Sequence, residues 1–463
     1  MITLGEIMID FEKIAKYSKA GPRYTSYPTA NEFHSAFTHL DYQKALEESN
    51  SSSLPLSLYV HLPFCRSACY FCGCNVIYTS KEENKSLYIP YLRKELELLS
   101  QFLDTKREVI QLHFGGGTPT FFNAKELNEV IALLREFFPN FSSQAEISCE
   151  IDPRFFDSEQ MQVLREGGFN RVSFGVQDFD PQVQKAIHRI QSVELVAEAV
   201  QIARSFGISS INFDLIYGLP YQNLQTFSET LSKVLTLSPD RLAIFNYAHV
   251  PWMKKTMRKI DETTLPSPKE KLKILEFMIS FLSSNGYELI GMDHFAKRDD
   301  ELYRAKMDGE LRRNFQGYTT KGFSQTVGIG LTSISEGLNY YAQNHKDLCE
   351  YQKALDEGIL PTSKGIWLNE EDRLRKEVIM QIMNNLYLDF SKIEKQFDID
   401  FKAYFSNALQ SLKPYEEAGL LELAETYLKA TPTGGMLIRN IAMEFDGFLE
   451  KAPIGENKFS KTL

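Results

Sequence analysis

No run of apolar residues in the sequence approaches the roughly 20 that a membrane-spanning helix needs, so we expect no membrane partner. Long blocks of Lys or Arg are also missing, and the net charge is −10 at pH 7. This acidic balance argues against non-specific nucleic-acid binding as the main task, and we expect no nucleic-acid partner. The first ten residues lack the charged start and the small-residue cleavage site of a signal peptide, which predicts a cytoplasmic location.

Cysteine is scarce, and most of it stands in one place. The 463 residues include six cysteines, which are Cys65, Cys69, Cys72, Cys74, Cys149 and Cys349. A disulfide framework would spread its cysteines over a small secreted domain, and this chain is long. Four cysteines that fall within one short segment indicate a metal site instead.

Short apolar runs alternate with helix-length amphipathic segments along most of the chain. The predicted strands are residues 56–61, 109–114, 146–151, 171–176, 211–216, 241–246 and 287–292. The predicted helices between them are residues 85–103, 125–137, 160–166, 193–206 and 224–235. This alternation is typical of βα units around a parallel sheet, and it predicts an α/β fold built as a complete or partial barrel.

The pattern changes near residue 365. We therefore predict an N-terminal arm over residues 1–50, a barrel domain over 51–365 and a mostly helical domain over 366–463. The predicted elements of the last part are helices over 372–385, 391–397, 404–418 and 435–449, with a strand-like pair at 420–422 and 427–430. This arrangement resembles a winged helix, which often binds DNA, but its mixed charges favour a packing or lid role.

The clustered cysteines follow the first predicted strand with the spacing C-x3-C-x2-C-x-C. Thiolates from Cys65, Cys69 and Cys72 could hold three irons of a [4Fe–4S] cluster and leave the fourth iron open, whereas an electron-transfer cluster normally has four cysteines. An open iron suits chelation by the amino and carboxylate groups of S-adenosylmethionine (SAM). Two alternatives remain. Structural zinc prefers two separated ligand pairs, and a four-cysteine cluster would need Cys74, whose one-residue gap from Cys72 makes ligation of the same cluster awkward.

Polar residues also gather where the next predicted strands end. Gly115-Gly116-Gly117 follows the second strand, and consecutive glycines let a backbone approach a ligand and present N–H groups to a carboxylate. The later strand ends carry Glu150 and Asp152, Gln177 and Asp178, Asp214, and His249. One such side chain alone is more often a cap or a salt bridge. A series of them at the carboxyl ends of consecutive strands indicates an active site, because βα barrels build their sites there.

Together these motifs resemble the family of oxygen-independent coproporphyrinogen III oxidases, which are radical SAM enzymes of haem biosynthesis. The resemblance spans nearly the whole chain, from residues 22–29 through the cysteine motif to residues 437–440. Cys72-Gly73-Cys74 is its most specific part, because the haem-binding radical SAM relatives usually carry an aromatic residue in place of Cys74. The family implies a partial (β/α)6 barrel of TIM-like, radical SAM type, with an N-terminal arm near the substrate and a C-terminal helical domain.

The resemblance also implies a [4Fe–4S] cluster bound by Cys65, Cys69 and Cys72, together with two SAM molecules. The residues implied at the cluster-bound SAM are Tyr59, Phe71, Gly116, Glu150 and Ile334. Those implied at the second SAM are Gly117, Thr118, Gln177, Arg189, Asp214 and Ala248. Tyr59 and Cys74 are the candidate catalytic residues, and Cys74 is expected near the substrate or the radical rather than on the cluster.

The implied reaction converts coproporphyrinogen III to protoporphyrinogen IX. A 5′-deoxyadenosyl radical from SAM abstracts hydrogen from the β-carbon of a propionate, and loss of carbon dioxide and one electron leaves a vinyl group, twice per substrate. The four substrate carboxylates need cationic or N–H partners; Arg23 is a candidate, and a solvated arm arginine is the alternative. An electron donor of flavodoxin or ferredoxin type and a monomeric protein are further expectations.

Three other functions stay open at this point. One is a haem chaperone of the same fold, against which Cys74 and the arm motif at residues 23–28 argue. Another is a radical SAM enzyme with a different substrate, such as a methyltransferase that uses the second SAM. The third, a redox-sensing winged-helix regulator, is disfavoured by the net charge of −10.

Overall fold

The computed structural model of the chain describes residues 2–4, 7–81 and 83–451, of which residues 2–4, 7, 8 and 451 are described by their backbone alone. Parts of the predicted arm (residues 1, 5 and 6) and of the predicted C-terminal domain (residues 452–463) lie outside the described residues. The boundaries between the three predicted parts stay predictions.

Seven described strands run parallel at the centre of one sheet. They are β1 (Leu56–Leu62), β2 (Val109–Gly116), β3 (Phe141–Ile151), β4 (Arg171–Gln177), β5 (Ser210–Tyr217), β6 (Arg241–Asn246) and β7 (Gln325–Ile329). Their spatial order is β6-β5-β4-β3-β2-β1-β7, so β1 to β6 follow one another around the sheet and β7 joins the free side of β1. The predicted α/β fold with six consecutive βα units is confirmed.

The helices that follow β1 to β6 cover the outer face of these strands. They are α1 (Glu83–Phe102), α2 (Ala124–Phe137), α3 (Ser158–Glu166), α4 (Val193–Ser205), α5 (Leu224–Leu237) and α6 (Pro268–Ser284). The loop before α2 ends in Asn123, whose side chain accepts a hydrogen bond from the backbone N–H of Glu126, and Asp157 and Asn223 cap α3 and α5 in the same way. These caps fix where each helix begins because they satisfy N–H groups that have no partner inside the helix.

Alternate residues of each parallel strand face opposite sides of the sheet. In β3, Ile147 and Cys149 are buried in the apolar core, whereas Ser148 and Glu150 line an internal cavity. This two-residue period puts an apolar face under the helices and a polar face inside the barrel.

Antiparallel strands extend the sheet at both ends. Tyr287–Gly291 pairs with His294–Lys297 next to β6, and Ile334–Glu336, Tyr340–Asn344 and Thr362–Trp367 follow β7. The strand predicted at residues 287–292 is present, but it does not extend the parallel sheet as a further βα unit, because His294–Lys297 lies antiparallel between it and β6. The chain reverses at once through Asp293, which has a positive φ of 69°, so the next strand can only run antiparallel.

The N-terminal segment packs between the barrel and the C-terminal helices. Its elements are the strands Ile2–Leu4 and Ile7–Ile9 and the helices Phe11–Tyr17 and His39–Ser49. Tyr24 and Tyr27 are each 1% exposed; Tyr24 donates a hydrogen bond to Asp446 over 2.8 Å, and Tyr27 accepts one from the N–H of Gly447 over 3.1 Å. The arm is therefore held to the C-terminal helices.

The C-terminal part contains short helices around a three-stranded sheet. Its helices are Glu370–Asn385, Phe390–Phe397, Phe401–Tyr404, Ser406–Glu417, Pro432–Met436, Ile438–Met443 and Gly447–Lys451, and its strands are Tyr387–Asp389, Leu421–Leu423 and Tyr427–Ala430. The single helix predicted over residues 435–449 is wrong. The helix Pro432–Met436 ends at Leu437. Further along, the buried side chain of Asp446 accepts hydrogen bonds from the N–H groups of Phe448 and Leu449, and these bonds cap the start of a new helix.

Smaller elements complete the description. They are the strand pairs Phe64–Cys65 with Ile77–Tyr78 and Arg312–Asn314 with Gly317–Thr319, the helices Pro181–Ala186, Glu301–Asp308 and Leu348–Asp356, and the 3-10 turns Pro119–Phe121, Pro153–Phe155, Lys255–Lys259 and Glu262–Thr264. Among the described residues, no helix combines the length and the apolar character that crossing a lipid bilayer requires.

Glu95 of α1 is a buried carboxyl group that ties the helix to the loop after β7. It is 1% exposed and accepts hydrogen bonds from the N–H of Gly330, the amide of Asn344 and the hydroxyl of Tyr351, at 2.7, 2.6 and 2.6 Å. Burial outweighs these donors and raises the pKa of Glu95 from 4.5 to about 7.

This pKa predicts a stability change with pH. Between its unfolded and folded pKa values, Glu95 is ionised in the unfolded chain but protonated in the folded one, so its contribution to stability falls as pH rises. From pH 5 to pH 8 we expect Glu95 to lower the free energy of unfolding by about 2 kcal/mol. Urea denaturation of Glu95→Gln should lack this decrease, whereas Glu97→Gln, at an exposed site of the same helix, should keep it. An identical pH dependence in wild type and Glu95→Gln would contradict the assignment.

Candidate active site

A cavity of about 660 Å³ runs through the barrel and opens at the carboxyl ends of the strands. Most of the predicted site residues line it: Cys65, Cys69, Phe71, Cys72, Cys74, Gly116, Gly117, Thr118, Glu150, Gln177, Arg189, Asp214 and Ala248. The structure thus brings together residues that span nearly 200 positions of the sequence. They meet because parallel strands deliver their carboxyl ends to one side of the barrel.

Tyr59 and Ile334 are the two predicted site residues that do not line this cavity. Tyr59 lies on β1, half-buried, and its ring stacks on His113 with the ring centroids 5.9 Å apart. Ile334 begins the strand that follows β7. Within β7, Gly328 pairs with Tyr59 of the neighbouring strand β1. A Cβ on Gly328 would lie only 2.7 Å from the Ile334 carbonyl oxygen, so the absence of a side chain lets the Ile334 backbone approach.

The hydroxyl of Tyr59 has a defined direction because of His61. His61 Nε2 lies 3.0 Å from the carbonyl oxygen of Asn75, which can only accept, so Nε2 carries the proton. Nδ1 must then accept, and the Tyr59 hydroxyl donates to it over 3.0 Å. Burial lowers the pKa of His61 to about 4, which keeps the ring neutral.

The glycine loop after β2 packs directly on the cysteine loop. A Cβ on Gly117 would lie 2.6 Å from the backbone of Pro63 and 2.7 Å from that of Phe64, so any other residue would push the loops apart. The N–H of Gly117 donates to Leu62 over 2.9 Å, and that of Thr118 donates to Phe64 over 2.9 Å. The expectation that the N–H groups of the three glycines point at a ligand is therefore wrong for Gly117, because sheet-like pairing with the cysteine loop continues past the end of β2.

Positive charge surrounds the sulfur of Cys69. Nη1 of Arg189 lies 3.8 Å and Nη2 of Arg154 lies 3.9 Å from this sulfur. Asp152 accepts from both guanidinium groups, at 2.8 Å from Arg189 and 2.7 Å from Arg154, and it is 5% exposed. Two cations around one buried carboxylate leave a net positive charge beside the Cys69 sulfur, which suits an anionic metal centre at this position.

The other cysteines differ in their surroundings. Burial raises the pKa of Cys65 to about 12, although Thr118 approaches its sulfur to 3.4 Å. Hydrogen bonds from the side chain and the backbone N–H of Cys74 lower the pKa of Cys72 to about 7. Cys74 is thus a neighbour that donates to Cys72, and it is exposed at the cavity mouth.

This donor set fits an iron–sulfur cluster better than a single ion. In the described part of the chain, no group of three or more His, Cys, Asp or Glu side chains is placed to hold one metal ion. A four-iron cluster carries its cysteine ligands on different irons, so the sulfurs need not converge on one point. Three thiols at the mouth of a cavity, with cations beside Cys69 and the Thr118 hydroxyl 3.4 Å from the Cys65 sulfur, match that requirement.

Two carboxyl groups inside the cavity have opposite pKa shifts. Burial raises the pKa of Glu150, but hydrogen bonds from His113 Nε2, at 3.3 Å, and from the N–H of Gly116 outweigh it and hold the pKa below its usual value. Burial raises the pKa of Asp214 to about 6 despite donors from Ser173, at 2.7 Å, and Asn212, at 2.9 Å. At neutral pH Glu150 is ionised, whereas Asp214 keeps a proton in a fraction of molecules.

His113 is a site residue that the sequence interpretation missed. It lines the cavity, holds Glu150, and its Nδ1 lies 2.6 Å from the Ser148 hydroxyl. The sequence contains a signal that could have identified His113. Gln111 and His113 stand two residues apart in an otherwise apolar strand, so both side chains face the same side of the sheet.

A second and larger cavity of about 1180 Å³ lies between the barrel and the C-terminal helices. The two cavities share Asn246, Tyr247, Ala248 and Val250 at the end of β6, so they meet there. Arg23 of the arm lines the larger cavity, where its guanidinium forms an ion pair with Asp293.

The Asp152 network predicts a large effect on stability. Asp152→Asn removes the charge that offsets the buried guanidinium group of Arg189 and the partly buried one of Arg154, and we expect the free energy of unfolding to fall by about 3 kcal/mol. Urea denaturation of the protein without cofactors measures it. Glu159→Gln, at an exposed position of α3, should change stability by less than about 1 kcal/mol. Equal stability of the two variants would show that Asp152 does not compensate these arginines.

The chain is similar to known proteins over almost its full length. It matches the radical SAM superfamily over residues 59–234 and the HemN C-terminal domain over residues 368–437. It is 63% identical over 457 residues to the oxygen-independent coproporphyrinogen III oxidase of Helicobacter pylori strain J99, covering 98% of this chain and 99% of that protein. The Escherichia coli K12 enzyme of the same name is 44% identical over 450 residues, covering 97% of this chain and 98% of that protein.

The fold agrees with the same relatives. The solved structure of coproporphyrinogen III oxidase from Escherichia coli, described as a radical SAM enzyme, superposes with a TM-score of 0.91 at 44% identity, covering 96% of this chain and 100% of that chain. The cysteine loop, the glycine loop and the polar strand ends therefore stand in a barrel of known type. The chain belongs to the oxygen-independent coproporphyrinogen III oxidase family of the radical SAM superfamily.

Proposed function

We propose that this protein is an oxygen-independent coproporphyrinogen III oxidase, which decarboxylates two propionates of coproporphyrinogen III to vinyl groups and so forms protoporphyrinogen IX in haem biosynthesis. The observation that carries this function is the 63% identity, over 98% of the chain, to a relative of that name. The C-x3-C-x2-C-x-C loop at the mouth of a barrel cavity supports it.

The family uses a [4Fe–4S] cluster and SAM. When bound, these cofactors supply a 5′-deoxyadenosyl radical that removes a hydrogen atom from a propionate β-carbon. We propose Cys65, Cys69 and Cys72 as the cluster ligands, with the remaining iron open for SAM. The cations beside Cys69 and the exposure of Cys74 support this division of roles.

Binding of two SAM molecules is also part of the proposal. The residues proposed for the first are Tyr59, Phe71, Gly116, Glu150 and Ile334, and those proposed for the second are Gly117, Thr118, Gln177, Arg189, Asp214 and Ala248. The ionised carboxylate of Glu150 would pair with a SAM ammonium group, and the carboxyl group of Asp214 could accept a hydrogen bond from a SAM hydroxyl. Support for this assignment is that nine of these eleven residues line the smaller cavity, of about 660 Å³, and that Ala248 also lines the larger one.

Several residues of this chain would position and shield the reaction. The Tyr59 hydroxyl donates to His61, which orients the phenol ring behind His113, a residue that lines the cavity. His113 holds Glu150 from the strand next to it. We propose that Cys74 and Tyr59 act close to the substrate, and that the barrel wall keeps water from the reactive carbon.

The protein also needs an electron donor, for which we propose a flavodoxin- or ferredoxin-like protein. Gly73 and Cys74 of the cysteine loop are exposed, so such a partner can approach the proposed cluster. We propose that the protein acts as a monomer, because one chain supplies every residue of the proposed site.

Alanine variants of the cysteines test the proposed function. Cys65→Ala, Cys69→Ala and Cys72→Ala should each lose most of the iron after anaerobic reconstitution, and with it SAM cleavage and protoporphyrinogen formation, by at least about tenfold. Cys74→Ala should keep the iron and its EPR signal but form less protoporphyrinogen. The measurements are iron content, EPR of the reduced protein, and quantification of 5′-deoxyadenosine and porphyrin products.

Cys349→Ala is the matched control, because Cys349 is exposed on the helix Leu348–Asp356 and should leave every readout unchanged. Full iron in Cys69→Ala, or loss of iron in Cys74→Ala, would contradict the ligand assignment. An intact cluster in wild type with no protoporphyrinogen would contradict the function.

A further inference from the structure

The larger cavity carries an excess of positive charge on an otherwise apolar lining. As far as the structure describes it, this lining contains six Lys and Arg side chains but two carboxylates, Glu288 and Asp293. Both carboxylates already have cationic partners, since Glu288 pairs with Arg298 at 2.7 Å and Asp293 pairs with Arg23. The cavity is therefore electrostatically suited to an anionic ligand with a large apolar body.

Lys271 of α6 is the cation whose surroundings are most informative. Its ammonium group donates to the Asn246 side chain and to the Tyr247 carbonyl oxygen, both over 3.1 Å. These partners are neutral, and no described carboxylate forms an ion pair with Lys271. Burial lowers the pKa of Lys271, and no neighbouring charge contributes to that shift. An ammonium group has three N–H donors, so one remains for a ligand in the cavity.

The backbone makes room for this side chain. Gly218, directly after β5, has a positive φ of 87°, and a Cβ there would lie 2.6 Å from the Lys271 Cε and 3.0 Å from its ammonium nitrogen. The glycine therefore allows Lys271 to cross the end of β5 and reach the end of β6. That point is where the two cavities meet, next to Ala248.

We propose that Lys271 binds a carboxylate of the tetrapyrrole substrate, with the macrocycle in the larger cavity and a reacting propionate directed past Asn246 and Ala248 into the smaller one. This inference rests on the proposed function and adds to it a substrate-binding residue. Arg23 is less suited to this task because Asp293 already neutralises it. An ammonium group buried beside neutral partners gains most from an anionic ligand.

Binding of coproporphyrin III, the oxidised and unreactive form of the substrate, tests the proposal on the full-length reconstituted protein. Fluorescence titration should show that Lys271→Met weakens binding by about tenfold or more, the loss expected for one charged hydrogen bond. Lys271→Arg, which keeps the charge, should bind within about threefold of wild type. Lys273→Met is the control, because Lys273 lies on the same helix, half exposed and paired with Glu270.

A second probe separates a binding role from a structural one. The tetramethyl ester of coproporphyrin III has no charged carboxylates, so Lys271→Met should bind it as wild type does. Lys271→Met should also retain iron content and the KM for SAM. An equal loss for acid and ester would indicate a structural role, and a raised KM for SAM would make the SAM carboxylate the ligand. Either result would overturn the proposal.

The remaining outcomes also distinguish the two hypotheses. If wild type converts coproporphyrinogen III while Lys271→Met binds coproporphyrin III as tightly as wild type, the Lys271 proposal fails and the proposed function stands. If wild type neither binds coproporphyrin III nor converts coproporphyrinogen III, both fail together.

Discussion

The backbone of Gly117 lies against the backbones of Pro63 and Phe64, and the position of the cysteine loop depends on this contact. A side chain at Gly117 would have its Cβ within 2.7 Å of both residues, so the two loops could not close. Two backbone hydrogen bonds, from Gly117 to Leu62 and from Thr118 to Phe64, hold them together just before Cys65. The cysteine loop, which we propose binds the cluster, is thereby fixed to β1 and β2, on which Tyr59, His61 and His113 are placed.

Charge in the barrel follows from the same geometry. Many strand residues that face inward are polar or charged, and because they are shielded from water they must satisfy one another. Asp152 offsets Arg154 and Arg189 beside Cys69, and His113 keeps Glu150 ionised. In the larger cavity the compensation is incomplete, since Lys271 has only neutral partners among the described residues. An excess of positive charge of this kind suits a site for a ligand with four carboxylates.

Much of this arrangement could be predicted from the sequence, because the period of two in the strands and the caps of the helices are local signals. The alternation of strands and helices, and the gathering of Glu150, Gln177 and Asp214 at the strand ends, could be predicted from the residues, whereas the number of six βα units came from the resemblance to the family. The reversal at Asp293 and the break before Asp446 could not be predicted, because they depend on a single turn residue and on a contact with Tyr24, more than 400 residues away. Lys271 was missed for a similar reason: a lysine on an amphipathic helix gives no sign that Gly218 opens a path for it.

The most direct test of the account is an anaerobic turnover with coproporphyrinogen III deuterated at the β-carbons of its propionates. The reconstituted wild-type protein, dithionite and SAM should give protoporphyrinogen IX and 5′-deoxyadenosine that carries deuterium from the substrate. Vinyl product with unlabelled deoxyadenosine, or labelled deoxyadenosine without any vinyl product, would contradict decarboxylation through hydrogen abstraction at the β-carbon.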